Sequence, residues 1–309
     1  MAVPSSAAPR ARPVRGAATP AWLGPFFGLA SAAPRLTGAM RPVACRLIPA
    51  CSGRVRRATR LNARRIFGRP LSVRERWRFA TAVSGSFFDF IADVGRSAAL
   101  SAEQVRASID RTEGLAGYRA ARSAQRGAVL VTAHLGAFEA GLAALAAEER
   151  RVVVVFRRDA SRVFERLRSR LRGRLGIVEA PIDGGWASWM PLREALLRDE
   201  VVVVQGDRAL PGQRAERVKF LHGHLRIPTG PVRLARLTGS PIIPVFAPRL
   251  PGGRCVVILD EPIRPCEPRD PSGADLAALG HAIERIVERY PEQWLALVPA
   301  FDEDASDVG

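Results

Sequence analysis

The run VLVTAHLGAFEAGL, residues 129–142, joins a β-branched apolar segment to a helix-forming one, with a histidine at the junction. Ala128–Ala133 reads as a buried strand that ends at His134, and a helix then starts near Gly136 with Glu139 one turn into it. Similar short apolar runs recur at Val152–Phe156, Ile177–Ala180, Val201–Gln205, Ile242–Ala247 and Cys255–Leu259. Between them lie helical stretches at Gly136–Glu149, Ser161–Arg174 and Trp186–Arg198, and a last helix covers about Asp275–Arg289. A strand buried on both faces has no polar side to show, so continuous apolar runs alternating with helices predict crossover units. The expected fold is therefore α/β, a mostly parallel central sheet flanked by helices.

The sequence before this pattern is different. Ser72 with Glu75, and Ser101 with Gln104, have the spacing of capping boxes, and Trp77, Ala80, Ser84, Phe87, Phe88 and Ile91 continue one helical face. The expected organisation is a disordered basic leader over 1–20 and a helical region over 21–125. An α/β core over 126–300 and an acidic tail over 301–309 follow. No Gly-rich phosphate loop and no internal repeat is present.

Charge is concentrated at one end. Residues 1–78 hold sixteen arginines and a single acid, Glu75, which accounts for +15 of the formal net charge of +17. Lys219 is the sole lysine, so arginine content reflects codon usage as much as function, and the position of the charge carries the argument. A basic segment attracts polyanions. Here the arginines alternate with Trp22, Phe26, Phe27, Leu29, Leu36, Met40, Leu47 and Ile48, which points to an anionic membrane surface. Leu29, Leu36, Met40, Val43 and Leu47 recur at helical spacing, as expected of a helix lying in the interface or, alternatively, facing a core. Residues 16–34 are uncharged but diluted by Gly, Thr, Ser and Pro, a poor membrane span. No secretory leader stands out, so the chain is expected to stay on the cytoplasmic side, peripheral to a membrane or with one weak segment in it. No nucleic-acid motif accompanies the arginines, and no nucleic-acid partner is expected. The cysteines Cys45, Cys51, Cys255 and Cys266 have no metal-ligand spacing, and His222 and His224 have no carboxylate or thiol nearby in sequence, so no metal is expected.

In an open α/β sheet, ligands meet the carboxyl ends of the strands, which singles out three places. At His134 a carboxylate from Glu139 would fix the tautomer and leave the other ring nitrogen as a general base. Val152–Phe156 runs into Arg157 and Arg158, whose guanidinium forks suit phosphate. Val201–Gln205 ends at Gly206, Asp207 and Arg208.

HLGAFE resembles the His-four-residues-acid signature of the lysophospholipid acyltransferase superfamily, and in particular the HxGNWE form of its lipid A biosynthesis branch. His134, Gly136 and Glu139 match, Phe138 stands for the Trp, and Ala137 replaces the Asn. The likeness continues through VVVVQGDRALPG and through VKFLHGHLRIPTGPVRLARLTGSPIIPVF, where His222 departs from the usual Gly. It ends with LDEPI and YPEQWL, so it covers about residues 21–295. It implies a glycerol-3-phosphate acyltransferase-like fold and transfer of a fatty acyl group from acyl carrier protein or coenzyme A to a hydroxyl of a glycolipid or lysolipid. No cofactor is implied. His134 and Glu139 would be catalytic, with Arg157, Arg158, Asp207, Arg208, Gly230, Pro231 and Glu261 binding substrate. An acyl thioesterase using the same base, and a non-catalytic lipid-binding protein of the same fold, are the alternatives.

Overall fold

A computed structural model describes residues 22–97, 99–158, 161–182, 188–209, 212–267 and 273–305. The expected leader 1–20 and the expected helix start at Trp186 lie outside them. Helices α1 (Leu23–Ala32), α2 (Pro34–Cys51), α3 (Gly53–Phe67), α4 (Val73–Ser97) and α5 (Ala102–Ala107) come first. Then follow β1 (Ile109–Glu113), α6 (Leu115–Arg122), β2 (Ala128–Thr132), α7 (Phe138–Glu148), β3 (Val152–Phe156), α8 (Arg162–Arg174), β4 (Val178–Pro181), α9 (Met190–Leu197) and β5 (Val201–Gln205). The chain continues with β6 (Ala215–Phe220), β7 (Gly223–Pro228), α10 (Gly230–Thr238), β8 (Ile242–Phe246), β9 (Cys255–Leu259), α11 (Ala274–Arg289) and α12 (Asp302–Ala305).

Seven strands form one sheet in the order β1-β9-β8-β2-β5-β3-β4, parallel throughout except at β8–β9. All six apolar runs became strands of it. Their continuous apolarity follows from burial on both faces. Val129, Val131, Val153, Val155, Val202 and Val204 pack with residues of α9, α10 and α11, whereas Leu130, Val152, Val154, Val201 and Val203 pack with Tyr118, Leu142 and Leu145 on the other side. Both capping boxes form, Ser72 with Glu75 and Ser101 with Gln104.

One stretch departs from the expectation, and two others add structure that it left unspecified. Ile109–Glu113, within the region expected to be helical, is an edge strand pairing with β9. Its sequence, IDRTE, is polar because an edge strand is half solvated. Strands β6 and β7 form a separate antiparallel hairpin whose polar positions face solvent. Among the described residues after 300, Phe301 is fully buried against Phe220 and Trp294, and Asp304 and Glu303 reach Arg65 and Arg217.

Before the sheet, α1 and α4 pack Phe27 and Ile91 with Phe164 of α8. Leu36, Met40, Val43 and Leu47 of α2 are exposed, as is Trp22. No helix among the described residues is long and apolar enough to cross a membrane.

Candidate active site

Strands β2 and β5 are adjacent and parallel, with Thr132 in register with Gln205. Two residues beyond that pair, on each strand, stand His134 and Asp207. Gly206 lets the two exits approach: its N–H donates to Thr132 O (2.8 Å), and a Cβ there would collide with Val131 Cγ1. Asp207 Oδ1 lies 2.7 Å from His134 Nδ1 and also accepts the His134 backbone N–H at 3.2 Å. An ionised carboxylate can only accept, so Nδ1 carries a proton, and in the neutral imidazole the lone pair then lies on Nε2. The imidazole side chain is 37% exposed while the carboxylate is 0% exposed, so the pair has one open end and one sealed end.

The sealed end is held from the far end of the chain. Trp294 Nε1–H donates to Asp207 Oδ2 at 2.9 Å, and Arg208 Nε lies 3.5 Å from the same oxygen. Arg208 is itself anchored on Leu295 O (2.9 Å), and Leu295 N–H donates to His134 O (2.8 Å). Burial opposes ionisation of Asp207, but the charges of His134 and Arg208 and the hydrogen bonds from His134 and Trp294 outweigh it. Its carboxyl is held well below the usual carboxylate range. After His134 the chain turns through Gly136 at φ +68, where a Cβ would strike Ala247 O, and Ala137 N–H donates to that carbonyl at 2.7 Å before α7 begins.

Glu139 does not hold the imidazole. Its carboxylate is buried and points at α8, accepting from Arg168 Nε (2.7 Å) and from Arg172 Nη2 (2.8 Å) and Nε (3.2 Å). Arg172 reaches on to Glu179 at 3.0 Å, closing a charge network beneath the sheet mouth. Burial works against ionisation of Glu139, but the charges and hydrogen bonds of Arg172 and Arg168 prevail and lower its pKa. The local spacing that brought Glu139 within reach of His134 loses to two guanidinium groups, because a buried carboxylate is stabilised most by direct charged donors.

The other expected residues divide by position. Arg157 and Arg158 leave β3 at the same end of the sheet as His134, two strands away, and both are exposed. Gly230 and Pro231 open α10, Pro231 buried and Gly230 against the Trp189 ring, without a hydrogen bond to His134. Glu261 follows β9, as the sequence places it. Strand β9 runs antiparallel to β8, so the chain leaving it runs back toward the start of β8: Asp260 N–H donates to Pro244 O, and Ile263 pairs with Ile242. Ile242 is level with Val129 and Pro244 with Val131, so Glu261 lies partway down the sheet, away from the end that carries His134. Trp294 and Arg168 were not anticipated; the partner of His134 was legible only through the register of β2 with β5. A groove of about 640 Å³ lined by Arg214, Arg226, Thr229, Arg233 and Arg236 includes neither His134 nor Asp207.

The histidine–carboxylate pair stands at the carboxyl end of a mostly parallel sheet, open on the imidazole side, where ligands of open α/β sheets meet the strands. The chain belongs to the bacterial lipid A biosynthesis acyltransferases, whose family profile matches residues 22–302. It is an acyltransferase, acting between an acyl donor and a lipid acceptor. No curated relative matches the chain.

Proposed function

We propose that His134, oriented by Asp207, is the general base of the acyl transfer. Nε2 takes the proton of an acceptor hydroxyl, whose oxygen attacks the thioester carbonyl of the donor. The new C–O bond forms, the C–S bond breaks, and the proton passes from the imidazolium to the departing thiolate. The observation carrying this reading is the 2.7 Å contact between a half-exposed imidazole and a fully buried carboxylate. In this reading Glu139 acts at one remove, holding Arg168 and Arg172 at the start of α7. Arg157 and Arg158 bring positive charge to the donor's or acceptor's phosphates. The donor is the thioester of acyl carrier protein or coenzyme A, and the acceptor is a glycolipid or lysolipid hydroxyl. His134→Ala is the test: loss of transfer, on the order of 10³-fold or more, with an unchanged melting temperature is expected. Full activity in this variant rejects the assignment, and release of fatty acid without acceptor makes the enzyme a thioesterase.

The acceptor is reached at a membrane surface in this proposal. Leu36, Met40, Val43 and Leu47 form an exposed apolar stripe on α2 in the arginine-rich part of the chain, the arrangement of an interfacial helix. A Leu36→Asp/Leu47→Asp double variant is expected to bind anionic vesicles at least about tenfold more weakly, since each buried leucine contributes roughly 1.5–3 kcal/mol. Unchanged co-sedimentation counts against this seating.

A further inference from the structure

The Asp207 carboxylate has two oxygens, and the reaction uses only one of them directly. Oδ1 faces His134; Oδ2 faces away, into the protein, where its short donor is the indole N–H of Trp294 at 2.9 Å. Arg208 Nε is more distant at 3.5 Å and its guanidinium is committed to Leu295 O. Trp294 is 2% exposed, and its ring packs on Phe220 and Phe301 with centroids 5.8 Å and 6.1 Å away. Packing alone would be met by any large apolar side chain. An indole adds a single donor, and here that donor is aimed at a wholly buried anion.

The segment carrying the indole is pinned to the same loop it serves. Gln293 clamps Arg249 through both its amide groups, accepting from Arg249 N–H (2.7 Å) and donating to Arg249 O (2.9 Å). Leu295 N–H bonds His134 O, and Asn62 Nδ2 donates to Ala296 O and Val298 O, each at 2.9 Å. Trp294 therefore has little freedom to move relative to His134, as a group that sets the angle of another side chain requires.

We infer that Trp294 is a positioning residue for the acyl transfer: its indole N–H fixes the plane of the Asp207 carboxylate so that Oδ1 points at His134 Nδ1. The inference rests on the reading of His134 and Asp207 as the base and its orienting carboxylate. Without the indole donor the carboxylate can rotate about its own bond, Nδ1 loses its partner for part of the time, and Nε2 is turned from the acceptor. Among the described residues, the side chains bonded to Asp207 are those of His134, Arg208 and Trp294, and the Trp294 ring belongs to the core.

Trp294→Phe keeps the ring and deletes the donor, and is assayed in the full chain with an acyl-thioester donor and lipid acceptor. A fall in kcat of about tenfold is expected, with KM for either substrate within about twofold. On an Asp207→Asn background the same substitution is expected to add nothing, since the group it positions is already disabled. Full kcat in W294F, or an equal loss on both backgrounds, overturns the inference. His134→Ala is run beside it: an active H134A removes the base itself, whereas inactive H134A and D207N with a fully active W294F removes only the role of Trp294. A second measurement does not depend on W294F folding. Among the five tryptophans, the indole N–H in contact with the Phe220 and Phe301 rings is expected to exchange slowly with solvent in the wild-type chain. It should exchange faster in D207N, and equal rates in the two proteins also overturn the inference.

Discussion

Among the described residues, two of three histidine–carboxylate pairs share one local plan. In each, a carboxylate accepts from both the Nδ1 side and the backbone N–H of one histidine: Asp207 with His134 at 2.7 and 3.2 Å, and Glu303 with His224 at 2.6 and 3.1 Å. They differ in place and burial. Asp207 is sealed at the carboxyl end of the sheet, while Glu303 is 24% exposed on α12, against the hairpin that carries His224, and shares its charge with Arg217. Hydrogen-bond geometry alone therefore does not define a catalytic pair. A sealed carboxylate at a sheet mouth holds its partner in one tautomer against competition from water; an exposed one against a hairpin ties two segments together.

The largest effect is expected at the sealed pair. Asp207→Asn leaves the size of the side chain but removes the charge that fixes Nδ1–H, and should lower kcat on the order of 10³–10⁴-fold, as loss of an orienting carboxylate does in related chemistry. Steady-state acyl transfer by folded D207N is the measurement. Activity within tenfold of wild type would place Asp207 on a level with Glu303 and erase the distinction between the pairs.

Glu139 sharpens the comparison because it is buried like Asp207 yet faces arginines. Glu139→Gln strips the charge from a network containing Arg168 and Arg172, leaving buried guanidinium groups undercompensated. Breaking such a network from one side costs about 3–5 kcal/mol, so denaturant unfolding should register the change first. Activity per folded molecule is expected to fall by less than in D207N. A variant with wild-type stability and the activity of D207N would return the orienting role to Glu139.

Much of this was legible in the sequence, and the reasons for the failures are physical. The six apolar runs declared themselves because strands covered on both faces carry no polar positions; β1 and the hairpin did not, because solvent on one side makes IDRTE, AERVKF and GHLRIP resemble loop or helix surface. His134 was found because it ends a buried strand. Its partner was sought five residues away, whereas the sheet supplies one from 73 residues away on the neighbouring strand. Adjacent parallel strands lie about 4.8 Å apart, so exit residues in register are neighbours whatever their separation in the chain. Glu261 came only through the family likeness, and the antiparallel run of β9 against β8 carries it away from His134.

The smallest expected effect belongs to the exposed pair, and pH isolates it. Burial raises the Glu303 pKa, but the hydrogen bond and charge of His224, with backbone donors at Glu303 and His224, dominate and hold it at about 2 against an ordinary 4.5. A carboxyl whose folded pKa is depressed contributes stability that is fully present above the unfolded value and lost as pH falls through the folded one. For Glu303 that window runs from 4.5 down to about 2. Partial exposure and salt screening reduce the contribution to at most about 1 kcal/mol. Glu303→Gln should therefore flatten the acid side of the stability curve between those values by no more than that, measured by thermal melts from pH 5 downward, and leave kcat at neutral pH unchanged. Asp207 and Glu139, held low and buried, continue to destabilise the wild type and the variant alike as acid is added, so the difference between the two curves reports Glu303 alone. A fall in kcat as large as that of D207N would mean that the hairpin pair, and not only the sheet mouth, takes part in the chemistry.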